Sequence, residues 1–138
     1  MTDILIDDMD LKKVYKTKNI EYIALRGVTL KVKKGEFLVI ASPSGSGKTT
    51  LLDLLGLLDS PSAGKIIIDG SDVTNFDEDE RAIFRRKKYI GFVFQSYNLI
   101  TYLTVLENVE LALAAVGVPV WKRKEKAEEI LSMIPGRL

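Results

Sequence analysis

Ser42-Pro43-Ser44-Gly45-Ser46-Gly47-Lys48-Thr49 carries residue types that suit one kind of chemistry, the binding of a polyphosphate. Gly45 and Gly47 allow a tight backbone turn with no Cβ in the way. Successive main-chain N–H groups of such a turn can converge on phosphate oxygens. A helix that follows presents its unpaired first amides to the same anion. Lys48 supplies a cation for β- and γ-phosphates, and Thr49 a hydroxyl for Mg²⁺. Ser42, Ser44, Ser46 and Thr50 add short polar groups along the same stretch. One position departs from the G-x-x-x-x-G-K-[ST] pattern, because Ser42 stands at its first glycine. If that site demands a glycine-only conformation, the serine costs roughly 1–3 kcal/mol.

Such a loop needs a strand before it and a helix after it. Phe37-Leu38-Val39-Ile40-Ala41 is a short apolar run, as expected of a strand buried on both faces. Thr49 to Leu58 has helical character and ends before Ser60-Pro61-Ser62-Ala63-Gly64. Upstream, Val28, Leu30 and Val32 alternate with polar residues, the pattern of a half-buried strand. Lys33 to Glu36 then reads as a turn. Downstream, Lys65 to Asp69 and Tyr89 to Gln95 read as strands, and Asp77 to Lys88 as a helix. That helix has acids in its first turn, and Arg85, Arg86, Lys87 and Lys88 in its last, which complements its dipole. Thr104 and Glu107 have capping-box spacing and open a helix to about Val116. Ala127, Ile130, Leu131 and Ile134 form one apolar helical face that Pro135-Gly136 ends. Trp121, at the start of that helix, is given no function. Strands alternating with helices place the chain in the α/β class.

Composition narrows the possibilities. The 138 residues hold 20 Lys plus Arg against 19 Asp plus Glu, so a net charge of +1 argues against a nucleic-acid partner. The chain has neither Cys nor His, which excludes thiol nucleophiles and zinc–thiolate sites and leaves carboxylates, Lys, Arg, hydroxyls and amides. The acidic start lacks the order of a signal peptide. The longest apolar run, Leu111 to Trp121, falls short of the roughly 20 residues a spanning helix needs. A cytosolic chain is the expectation.

Beyond the phosphate loop, three further stretches carry a resemblance: Gly64-Lys65-Ile66-Ile67-Ile68-Asp69-Gly70, Ile90-Gly91-Phe92-Val93-Phe94-Gln95 and Leu103-Thr104-Val105-Leu106-Glu107-Asn108-Val109. With Ser44 to Leu52 they make the chain, from about Leu11 to Ile134, similar to the ATP-binding subunit of an ABC transporter. The lipoprotein-release, macrolide-export and cell-division group fits best. The resemblance implies a P-loop NTPase core of the ABC ATPase type with an antiparallel β part, and ATP with Mg²⁺ as ligands. It implies that Tyr15 stacks on adenine, with Tyr22 a weaker substitute. It makes Gln95 the Q-loop glutamine, a ligand of Mg²⁺ or a guide for the attacking water, and Lys48 its catalytic companion. It implies that residues 96–108 dock a transmembrane permease subunit, through Tyr97, Leu99, Ile100, Tyr102 and Leu103 as exposed apolar contacts. A second ATP-binding subunit completes the dimer, at the inner face of the cell membrane.

The family's signature segment, its magnesium-holding Asp with the catalytic Glu, and its switch histidine have no match here. Ile66-Ile67-Ile68-Asp69 comes nearest to the Asp–Glu pattern, but Gly70 follows. The expectation is therefore a single, truncated ATP-binding domain over residues 1–138 that binds nucleotide without efficient hydrolysis. The alternatives are a non-catalytic nucleotide-binding fragment and a small P-loop nucleotide kinase.

Overall fold

The computed structural model describes residues 3–88 and 90–136. They divide into two compact units, Met1–Gly91 and Phe92–Leu138.

The first unit is built on a four-stranded antiparallel sheet in the order β2-β1-β3-β4, with β1 at Ile4–Lys16, β2 at Glu21–Lys33, β3 at Ala63–Ile68 and β4 at Ser71–Asp72. The alternation of Val28, Leu30 and Val32 survives as a half-buried row on β2, and the turn after it holds Gly35 at φ 74°. The 13-residue β1 has no clear sequence signature, because irregularities on either side of Leu11 break its alternation. Gly64 is forced by this irregular region: a Cβ there would lie 2.5 Å from the Asp10 carbonyl oxygen, at φ +95°. Asp69-Gly70 closes the β3–β4 hairpin with both residues at positive φ, 47° and 76°.

Helix α1, Lys48–Leu55, lays Leu51 and Leu54 on the sheet beside Leu11, Leu25, Leu57, Ile66, Ile68 and Val73. Helix α2, Glu78–Lys87, starts on a complete capping box between Asp77 and Glu80, and Phe84 packs edge-on against Phe76 at 5.7 Å. Two of its basic terminal residues are tied down: Arg85 donates to the Leu57 carbonyl, and Lys88 pairs with Asp69 at 2.6 Å.

Two strands expected from sequence do not form. Phe37–Ala41 is irregular, with Phe37 91% and Val39 70% exposed. Ile90–Gln95 is irregular too, and Val93 is fully exposed; Tyr89 lies outside the described residues. An apolar run becomes a strand only when a neighbour takes up its N–H and C=O groups. No described segment pairs with either run. Phe92 and Phe94 still stack at 5.6 Å, as side chains two apart on extended backbone can.

In the second unit, α3 (Val105–Ala115) begins on the expected Thr104–Glu107 capping box, and α4 (Val120–Ser132) packs back on it. Leu113, Ala127 and Leu131 are buried, whereas Ile130 and Ile134 stay exposed, so only part of the expected face of α4 is covered. Trp121 is exposed. The Asn108 side chain gathers the preceding loop: its Oδ1 accepts from the Ile100 N–H at 2.8 Å, and its Nδ2 donates to the carbonyls of Ile100, Leu103 and Thr104. No described helix is long and apolar enough to cross a membrane.

Candidate functional site

The phosphate-loop residues come together where β2 meets α1. Gly47 is the N-cap of α1 at φ 89°, and no side chain caps the helix. A Cβ on Gly47 would sit 2.4 Å from the Ala24 carbonyl oxygen and 2.9 Å from Leu25 Cδ2. The glycine is therefore needed twice, for its left-handed backbone and for the close approach of β2. Gly45 is also left-handed, at φ 79°, but its Cβ position is open. The uncapped start of α1 leaves its first amides free for an anion.

Ser42 is not among the described residues with positive φ, so the strain that a serine would suffer at a glycine-only position does not arise. Its carbonyl accepts from Lys48 Nζ at 2.6 Å, and its hydroxyl meets that of Ser46. Lys48 also donates to the Pro43 carbonyl at 2.7 Å. Its ammonium thus lies folded over the loop between two carbonyls. Ser44 and Thr49 are exposed and Thr50 half-buried on the same turn.

Lys48 is the one charged side chain of residues 42–50, the rest of whose polar side chains are hydroxyls, and a cation with no carboxylate beside it in the loop suits a polyphosphate. Mg²⁺ takes few protein ligands and completes its shell with water and phosphate oxygens. The exposed Thr49 hydroxyl meets that modest demand. Among the described residues no cluster of three or more acids gathers to hold a metal by itself. Asp69 does not serve that purpose, because Lys88 and then Lys34 clasp it in the hairpin turn and hold its carboxyl below the usual range.

Tyr15 sits at the end of β1, across from Tyr22. Its hydroxyl donates to Asp59 Oδ2 at 3.1 Å, and Lys13 Nζ stands 5.0 Å from its ring centre. Burial and the nearby acids, chiefly Asp59, push the Tyr15 phenol up, against a lowering by Thr50. Lys13 and Asp59 were not readable in the sequence as parts of a site. They are 46 residues apart, and nothing in the spacing of either points to the other.

Gln95 is exposed and belongs to the second unit, whereas Tyr15 and residues 42–50 belong to the first. Tyr97, Leu99 and Tyr102 are exposed as expected, Tyr97 at 94%. Ile100 and Leu103 are half-buried instead, because Asn108 draws their backbone onto α3.

A family model described as ABC transporter matches residues 25–137. An uncharacterized ABC transporter ATP-binding protein of Thermotoga maritima is 48% identical over 126 residues, which cover 91% of this chain and 53% of that protein. A macrolide export ATP-binding/permease protein, MacB, of Brucella abortus is 42% identical over 91% of this chain and 19% of its own length. Among solved structures, the dimeric ATP-binding cassette MJ0796 in a post-hydrolysis state with ADP and Pi superposes with a TM-score of 0.80 at 40% identity, covering 94% of this chain and 56% of that one. The chain spans about half the length of the ATP-binding proteins it matches, and a smaller share of MacB.

Proposed function

Since this chain belongs to the ABC transporter family, we propose that it is the phosphate-loop portion of an ATP-binding subunit that couples ATP binding and hydrolysis to the work of a membrane permease. The observation that carries the reading is the left-handed Gly47 wedged against Ala24 at the uncapped start of α1, with the Lys48 ammonium beside it. Family membership also removes the nucleotide-kinase alternative.

In this reading the α1 amides and the loop N–H groups hold the β- and γ-phosphates. Lys48 exchanges the Ser42 and Pro43 carbonyls for phosphate oxygens, a charge-assisted contact stronger than the one it leaves. Thr49 offers its hydroxyl to Mg²⁺, which when bound spreads the negative charge of the transferring phosphoryl group. Tyr15 stacks on the adenine, and Ser42, Ser44, Ser46 and Thr50 line the polyphosphate. Gln95, as the Q-loop glutamine, is assigned the orienting of the attacking water or a place as a ligand of Mg²⁺.

Residues 96–108 dock the permease through Tyr97, Leu99 and Tyr102, an exposed apolar group more at home in an interface than in water. A second ATP-binding subunit closes the site, a reading supported by the dimeric form of the similar cassette, and the assembly works at the inner face of the cell membrane. Because the sequence offers no match for the catalytic glutamate, the 138 residues bind nucleotide with negligible turnover of their own.

Calorimetric titration with ADP and Mg²⁺ tests the core of this reading. Lys48→Ala is expected to weaken binding at least about tenfold, the loss of one charge-assisted contact. Equal affinity in the two proteins overturns the phosphate-loop assignment.

A further inference from the structure

We propose that Asp59 and Lys13 form a clamp that holds Tyr15 as a one-sided platform for the nucleotide base, making them positioning residues for base recognition and not for phosphate binding. This rests on the reading of Tyr15 as the stacking residue.

The clamp is a closed set of contacts. Lys13 is only 9% exposed, and its ammonium donates to Asp59 Oδ1 and to the Ser60 carbonyl, both at 2.7 Å. The other Asp59 oxygen, Oδ2, takes the Tyr15 hydroxyl. The Ser60 N–H returns to Asp59 Oδ1 at 2.7 Å. Just beyond, the Val14 N–H donates to the Ser62 hydroxyl, and the Ser62 N–H to the Lys12 carbonyl. The segment that follows α1, the helix whose first residue is Lys48, is thereby laced to the end of β1.

Three consequences follow for the ring. A hydrogen bond at its far end restricts swinging, so less freedom is lost when a base stacks on it. The Lys13 ammonium occupies one face, which leaves the other for a ligand. Tyr15 is 39% exposed, so a ligand can reach the residue. Ionisation keeps donor and acceptor fixed. Burial pushes the Asp59 carboxyl up, but the Lys13 ammonium and the Ser60 N–H outweigh it and hold the group below its usual range, charged and accepting.

The test compares ATP with inorganic tripolyphosphate, which offers the phosphates without the base, by calorimetry on the full chain. The readout is the ratio of the two affinities. Tyr15→Ala is expected to cut ATP affinity about tenfold, one base–aromatic stack, and to leave tripolyphosphate unchanged. Asp59→Asn and Lys13→Met should each lower the ATP-to-tripolyphosphate ratio at least about threefold, a fraction of that stack. If Tyr15→Ala lowers the ratio while Asp59→Asn and Lys13→Met leave it at the starting value, the clamp is overturned and stacking stands. If Tyr15→Ala itself leaves the ratio unchanged, the stacking reading fails and the clamp with it. A parallel loss of both ligands in Asp59→Asn and Lys13→Met marks a merely structural role and also overturns the proposal. Lys48→Ala is the contrast, because it should weaken both ligands together.

Discussion

Asp8 should make the first unit less stable as pH rises from the ordinary carboxylate range to neutrality. It lies at the middle of β1 between Leu30 and Ile66, is 0% exposed, and neither carboxylate oxygen has a partner. The charges nearest in the chain do not help it. Asp7 alongside is itself acidic and pairs with Lys31 at 3.2 Å, while Lys34 and Lys88 are engaged by Asp69. Burial, and then the negative charge of Asp7, raise the Asp8 carboxyl from 3.8 to about 7. The folded state therefore keeps a proton that the unfolded chain gives up. Below pH 3.8 both states are protonated and nothing is lost. Between that value and about 7, stability falls by about 1.4 kcal/mol per pH unit, roughly 4 kcal/mol in all.

Asp59, Asp69, Asp72 and Glu107 are all shifted down, so their stabilisation is present above the ordinary carboxylate range and is lost only as pH falls through it. The chain has no histidine, so none titrates between about pH 5 and 7 to mask the Asp8 slope. Urea unfolding, followed by the β-sheet circular dichroism signal at several pH values, measures it. Native protein should lose about 3 kcal/mol from about pH 5 to about pH 8. Asp8→Asn should match it at the acidic end and stay flat. Asp8→Leu should be flat too, and more stable than Asp8→Asn at every pH by about 1.5–3 kcal/mol. A native profile without slope, or an Asp8→Asn profile with the native slope, refutes the reasoning.

The two loop glycines should separate under the same denaturation assay. Gly47→Ala meets both the left-handed backbone and the Ala24 carbonyl and should cost about 2–4 kcal/mol, whereas Gly45→Ala meets open space and should cost only about 1 kcal/mol. Ser42→Gly should change nucleotide affinity by less than about threefold in calorimetry, because there is no backbone strain to relieve. The chain should self-associate in light scattering through the exposed, unpaired Phe37–Ala41 run, and Phe37→Lys with Val39→Lys should shift it toward monomer. A native monomer at high concentration would show that this run is not sticky.

The phosphate loop is legible because all its groups come from one contiguous stretch. Two inner glycines, Lys48 and Thr49 impose their geometry locally, and the helix after them needs only Leu51 and Leu54 on one side. Helices α2 and α3 are legible for the same reason: Asp77 with Glu80, and Thr104 with Glu107, close their caps within four residues. The clamp on Tyr15 was not legible, since it joins β1 to a segment 46 residues away. Nor was the burial of Asp8, which stands in an acidic stretch that reads as surface until β2 and β3 flank it.

By itself the sequence settled what depends on neighbours along the chain: turns, caps, the glycine-rich loop before α1 and the family. Tertiary structure decided what depends on neighbours in space. Phe37–Ala41 and Ile90–Phe94 have strand-like composition and form no strand, because backbone pairing requires a second segment, which hydrophobicity alone does not supply. Ser42 is unstrained, and Gly47 indispensable, for a reason equally spatial: the path of β2 past the loop fixes which Cβ has room.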